Sequence, residues 1–154
     1  MSKFKIVLVA PEIPGNTGSI GRTCVALDLE LILIKPLAFD ISEKAVRRAG
    51  LDYWKHVKLT VYENWEEFME KENPEKENLF LFSRFATKSL FDAVIKPNCY
   101  LVFGSETKGL PENIKNNFID QLVTMPMYSE HIRSLNLSNC ATAAAYEALR
   151  QIGF

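Results

Sequence analysis

Histidine and cysteine are scarce in this chain of 154 residues, which has two histidines, His56 and His131, and three cysteines, Cys24, Cys99 and Cys140. Two histidines give a zinc site or a Ser/His/Asp triad little material to draw on. An odd number of cysteines at wide spacings makes neither a disulfide framework nor a CxxC metal clip, so a reducing cytoplasm and no metal are expected. Long apolar runs are missing too. The longest near the start, residues 4–10, is interrupted by Lys5 and followed by Pro11-Glu12. That is well short of the roughly 20 residues a membrane span needs. It lacks a small-residue cleavage site, so neither a signal peptide nor a membrane partner is expected. No charge of one sign dominates: 18 Lys and Arg against 19 Asp and Glu leave a formal net charge of −1. By itself this argues against a strongly basic nucleic-acid binder. With only 7 Gly and 7 Pro, the composition resembles neither a disordered nor a collagen-like chain.

What is present is 47% hydrophobic and 24% charged residues. At this length one domain over 1–154 is expected, able to bury about 70% of the surface its unfolded form exposes. The near-neutral average hides a local asymmetry. Over residues 42–58, Lys44, Arg47, Arg48, Lys55 and Lys58 stand against only Glu43 and Asp52, whereas residues 63–77 hold seven glutamates against Lys71 and Lys76. The basic stretch suits a phosphate backbone, and two ordinary solvated helices fit the pattern as well.

The run 5–10 is apolar, rich in β-branched residues and closed by Pro11, the signature of a strand covered on both faces. Residues 18–29 then space Ile20, Cys24 and Leu27 for one helix face, with Asn16 or Thr17 available as N-cap. Further strands are expected over 31–34, 57–62, 79–82, 99–103 and 121–124. Helices are expected over 42–49, closed by Gly50, over 64–72 with a capping-box-like start, and over 88–94, 111–117 and 137–152. This alternation predicts an α/β fold with a mainly parallel sheet and helices on both faces. In such sheets ligands bind beyond the carboxyl ends of the strands, which directs attention to the loops after Ala10, Phe82, Phe103 and Thr124.

The first of these loops, Asn16-Thr-Gly18-Ser-Ile-Gly21-Arg22, does not match the dinucleotide GxGxxG, and the second strand leads into Lys35-Pro36 where a ribose-binding acid belongs. An oxidoreductase with a nicotinamide cofactor is therefore disfavoured. Arg22 falls one turn into an otherwise apolar helix, which capping does not explain. The loop Phe103-Gly-Ser-Glu-Thr-Lys-Gly-Leu-Pro111 is not a P-loop, but its amides could meet an adenine edge, with Gly104 allowing a flat ring close approach; a plain turn is the alternative. Residues 125–139 hold more polar groups than a connector needs, and Ser134, Asn136, Ser138 and Asn139 cannot all cap one helix.

Three segments, Asn16-x-Gly18-x-x-x-Arg22, Phe103-Gly-Ser-Glu-x-x-Gly-Leu-Pro111, and Met125-Pro126 followed by Ser134-Leu-Asn-Leu-Ser-Asn139, together resemble the three motifs of the knotted SPOUT-type RNA 2′-O-methyltransferases. With Arg47-Arg-Ala-Gly-Leu-Asp-Tyr53 and Tyr146-Glu-Ala-x-Arg150-Gln, nearly the whole chain is similar to the small branch that methylates the ribose of the wobble nucleotide 34, cytidine or modified uridine, in tRNA. The segment 128–131 departs from the family's usual short turn.

The resemblance implies a C-terminal deep trefoil knot with S-adenosyl-L-methionine bent into the pocket it forms. It places Phe82, Ser83, Gly104, Glu106, Met125, Ser134 and Leu135 around that cofactor. It assigns Arg22, Arg133 and Tyr146 to the reaction, and Asn16, Arg47, Arg48, Lys55 and Asn139 to the tRNA anticodon stem-loop. It leaves Arg22 as either a base or a charge stabiliser; a guanidinium rarely gives up its proton, which favours the second. It also implies a homodimer with shared active sites, the small-residue helix carrying Ala141, Ala143, Ala144 and Ala145 in the interface. The alternatives are an RNA-binding protein of the same fold without catalysis and a 2′-O-methyltransferase acting at another RNA site.

Overall fold

A computed structural model describes residues 3–153. Strands β1 (Phe4–Val9), β2 (Glu30–Ile34), β3 (Lys58–Tyr62), β4 (Leu79–Phe82), β5 (Cys99–Phe103) and β6 (Leu122–Val123) form one sheet in the order β3-β2-β1-β5-β4-β6. Every pairing is parallel, so the sheet is wholly rather than mainly parallel. The central strands are apolar on both faces, as a doubly covered parallel sheet requires. Phe4, Ile6 and Leu8 of β1 point to one core, shared with Leu31, Leu33, Leu101 and Phe103. Val7 and Val9 point to the other, with Ile32, Ile34, Leu81 and Val102.

The first core is closed by α1 (Pro14–Leu27), through Ile20 and Cys24, and by α5 (Leu137–Ile152), through Ala141, Ala144, Ala145 and Ala148. The second is closed by Phe68 of α3 (Trp65–Glu72) and Ile114 of α4 (Glu112–Asn117). A short basic helix, α2 (Glu43–Arg48), begins at Ser42, whose side chain accepts from Ala45 N at 3.3 Å, and the chain turns away at Gly50, φ +72°. Asn64 caps α3 by accepting from Glu67 N at 2.8 Å, while Glu67 reaches Glu63 N rather than closing a full capping box. Asn136 caps α5 through Ser138 N and Asn139 N, at 2.9 and 3.3 Å. Among the described residues no helix is long and apolar enough to cross a membrane.

Two expectations need correction. Helix α1 starts at Pro14, with Ile13 at the N-cap, so Asn16 and Thr17 lie inside the first turn and cap nothing. Proline suits that first position because its missing N–H is one the helix would leave unbonded. Residues 88–94 form only the 3₁₀ turn Leu90–Asp92. Their backbone is drawn out as a neighbour of Thr124, with Leu90 N donating to Thr124 O and Thr124 N to Lys88 O, both at 2.9 Å.

Strand order reverses between β1 and β5. That switch point is where an open α/β sheet parts its loops to leave a crevice.

Candidate functional site

A cleft of about 630 Å³ opens at this switch point, lined by the loops leaving β1, β4, β5 and β6 and by the start of α5. Of the residues singled out in the sequence, Asn16, Phe82, Ser83, Gly104, Glu106, Met125, Arg133, Ser134 and Leu135 all line it. Phe82 and Phe103 form its floor, their rings nearly parallel at 13° with centroids 4.4 Å apart. Cys140 also lines the wall, where burial pushes its thiol up to about 11 and so favours the protonated form.

Glu106 ties the two central loops together. Its carboxylate accepts from Glu12 N at 2.9 Å, Ile13 N at 2.7 Å and Asn16 Nδ2 at 3.2 Å. It thus satisfies amides at the start of α1 that the helix itself leaves without partners. Glu12 reciprocates, accepting from Thr107 Oγ1 at 2.6 Å and Thr107 N at 3.1 Å. Those two donors hold the Glu12 carboxyl below its usual value.

The geometry also revises the part expected of Gly104. A Cβ there would lie 2.1 Å from Gly109 C and 2.2 Å from Leu110 N, so the loop's own backbone requires this glycine. Ser105 and Gly109 exchange backbone hydrogen bonds of 3.2 and 3.0 Å, and Lys108 N donates to Ser105 Oγ at 3.2 Å. The amides of Ser105, Thr107, Lys108 and Gly109 are therefore engaged within the protein, and most of the loop's donors are not free for an adenine edge.

Arg22, Asn139 and Tyr146 do not line the cleft of this chain. They lie exposed on the outer faces of α1 and α5, helices joined by a 2.7 Å bond between Thr23 Oγ1 and Thr142 Oγ1. Arg22 stands over the Tyr53 ring, its guanidinium carbon 5.4 Å from the centroid. Tyr53 in turn donates to Gly18 O at 2.7 Å. The segment around it docks on a notch in α1 at Gly21, where a Cβ would come within 2.6 Å of the Trp54 ring. Arg47 pairs with Glu43; Arg48 and Lys55 are exposed beside it in sequence and, among the described residues, make no ion pair. His131 is exposed, its amide bonded to Ser129 Oγ at 3.1 Å.

The sequence reading missed Tyr53 as a support for Arg22, and of the cations around the cleft it singled out Arg133 but missed Arg84, Lys108 and Lys115. Arg84, Lys108, Lys115 and Arg133 all border the cleft. Arg84 and Lys108 lie in loops flagged as places for chemistry, where a tally of Lys and Arg would have found them; Lys115 lies in helix α4, where no such signal pointed to it.

Parallel sheet, switch-point cleft and cationic rim define a class: an α/β protein built to hold a small organic ligand next to an anionic partner. The chain belongs to the SpoU rRNA methylase family, whose model matches residues 3–146, and the resemblance drawn from its motifs is borne out. It is 41% identical over 152 residues to the tRNA (cytidine(34)-2'-O)-methyltransferase of Burkholderia ambifaria, covering 98% of this chain and 97% of that protein. It superposes with TM-score 0.86 and 41% identity on a structure solved for the 2-OH methylation of C/U34 on tRNA, covering 96% of this chain and 95% of that one. The SpoU methyltransferase AviRb of Streptomyces viridochromogenes, in complex with the cofactor AdoMet, matches at TM-score 0.80 and 28% identity, over 98% of this chain and 61% of that one.

Proposed function

We propose that this protein is an S-adenosylmethionine-dependent methyltransferase that modifies the ribose 2′-hydroxyl of the wobble nucleotide, 34, in tRNA. One observation carries this reading: residues far apart in the sequence, Asn16, Ser83, Glu106, Met125 and Ser134, converge on one cleft in a chain similar over its length to enzymes of that activity. The cleft fits the cofactor. Its volume lies within the roughly 300–1,000 Å³ of small-molecule sites. Its apolar lining, from the Phe82–Phe103 floor to Leu110, Leu135 and Leu137, suits an adenosyl group, and Ser83, Ser134 and Asn136 offer polar partners.

The cofactor supplies the methyl group on a sulfonium that is already electrophilic, so the protein's work is in-line approach and handling of the ribose proton. Arg133 at the cleft, and Arg22 with Tyr146 from a second copy, hold the ribose and its phosphate. Arg22 acts as a permanent cation that stabilises developing charge. In support of a homodimer, the face that carries Arg22 and Tyr146 also presents Gly15, Ser19, Ala26 and Ala143, small residues that let helices approach closely. The exposed basic residues Lys44, Arg47, Arg48 and Lys55 meet phosphates of the anticodon stem-loop.

The chain is read as one methyltransferase domain over 1–154, its C-terminal segment threaded as a trefoil knot behind the loop after β4. The pairing of Thr124 with Lys88 and Leu90, and of Ser83 N with Val123 O at 2.9 Å, supports that threading. The free thiols Cys24, Cys99 and Cys140 support a cytoplasmic setting.

Calorimetry with S-adenosylmethionine and with NADH tests the assignment. Binding of the first alone is expected; binding of NADH alone would overturn it.

A further inference from the structure

The loop leaving β4 carries an aromatic ring that serves neither core packing nor the cleft floor. Phe85 borders the cleft, is 71% exposed, and belongs to neither hydrophobic core. A tight turn presents it: Ser83 Oγ accepts from Phe85 N and Ser83 O from Ala86 N, both at 3.2 Å. The Arg84 guanidinium lies 4.5 Å from the ring centroid and the Lys115 ammonium 5.6 Å. Glu112 braces Lys115 from the side at 2.9 Å. Among the described residues, Arg84, Lys108 and Arg133 make no ion pair, so the rim around Phe85 is left positive.

We propose that Phe85 is a stacking platform for a base of the RNA substrate adjacent to the nucleotide whose ribose is methylated, with Arg84 and Lys115 facing its phosphate. The inference rests on the reading of the protein as a tRNA methyltransferase. A nucleotide that delivers its ribose into the cleft leaves its stack, and the neighbouring base loses a partner. An exposed ring at the mouth of the cleft replaces that partner, the base taking the ring face as Arg84 and Lys115, which stand over it in the free protein, turn to the backbone that joins the two nucleotides. Aromatic faces interleaved with cations are what single-stranded RNA selects, because every base has a π-face and every linkage a charge. The cofactor's adenine has less use for this ring, since Phe82 and Phe103 already provide a buried apolar floor. A second copy of the chain has a better contact in the small-residue face of α1 and α5.

The test compares wild type with Phe85→Leu, which keeps apolar bulk without a π-face, and Phe85→Trp, which keeps the face. Affinity for an anticodon stem-loop RNA is read by fluorescence anisotropy, and affinity for S-adenosylmethionine by calorimetry. Phe85→Leu is expected to weaken RNA binding about tenfold, the scale of one lost stacking contact. Phe85→Trp is expected to restore it, with cofactor affinity and oligomeric state unchanged in both. In a second arm the RNA carries an abasic nucleotide on one side or the other of the methylated one. On one of these RNAs the difference between wild type and Phe85→Leu should vanish. Equal RNA affinity in Phe85→Leu, a loss of cofactor affinity or of the dimer, or a difference that persists on both abasic RNAs would overturn the platform. A wild-type chain that binds the cofactor and methylates tRNA while any of these holds leaves the functional reading standing. A wild-type chain that does neither overturns both.

Discussion

Arg22 is exposed on α1, yet it is held in place, with its guanidinium over the Tyr53 ring and Tyr53 bonded to Gly18 O. The role proposed for Arg22, stabilising charge in the transition state, predicts that replacing it by alanine lowers single-turnover methylation by ~10²-fold or more while cofactor binding persists. Lysine keeps the charge without the planar fork and should retain part of the rate, with an unshifted pH profile. Tyr53→Leu should lower kcat in the wild type and have no further effect in Arg22→Ala; an additive loss would show that Tyr53 only supports the fold. Gly104 makes a different prediction. Even alanine there forces the backbone of Gly109 and Leu110 to move, so Gly104→Ala should lower the melting temperature as well as cofactor affinity. A variant as stable as wild type with only weaker cofactor binding would return this glycine to the ring-approach reading. Arg22 was legible in the sequence as a charge on an apolar helix. Tyr53 as its support was not, because the pairing spans 31 positions and leaves no periodic trace.

Helix α3 is anchored to the sheet by a part-buried polar cluster far from the cleft residues in sequence. Glu72 accepts from Lys5 Nζ at 2.7 Å, Tyr100 OH at 3.0 Å and Tyr62 OH, and Lys5 also pairs with Glu30 at 2.9 Å. Burial works against the Glu72 carboxylate, but the three donors together outweigh it and hold its carboxyl below the usual value; the Tyr100 phenol, by burial and then by its bond to Glu72, is pushed up to about 12. A carboxyl lowered in the folded state contributes stability above its unfolded value near 4.5, and that stability is lost as pH falls through the folded value. Glu72→Gln should therefore lose about 2 kcal/mol at pH 7, and the gap to wild type should shrink as unfolding is measured at progressively lower pH below that point. A gap independent of pH would show that the ionised carboxylate contributes nothing. At this scale the sequence was largely readable: the buried strands, the Asn64 cap and the extent of α5 follow from periodicity and cap chemistry. Residues 88–94 were not, because tertiary pairing with Thr124 overrides a local helical pattern.

For the whole molecule, the sheet order and the meeting of distant loops in one cleft rest on long-range pairing that periodicity cannot report; the motif resemblance supplied the residues that meet in the cleft, and the order of the strands came only with the structure. The interface expected on α5 is also refined by the structure. Ala144 is fully buried against the sheet, so Ala144→Glu would unfold the protomer and could not test association. Ala143 is exposed beside Tyr146, and the proposed dimer with shared active sites predicts that Ala143→Glu leaves a folded monomer by light scattering and that methylation is lost. A fully active monomer would contradict shared sites. The most direct measurement is a nuclease digest of tRNA incubated with the pure protein and S-adenosylmethionine, mapped by mass spectrometry. A single added methyl on the ribose of nucleotide 34, in wild type and not in Arg22→Ala, is the predicted result; no methylation, methylation of a base, or a methyl on another ribose would contradict it.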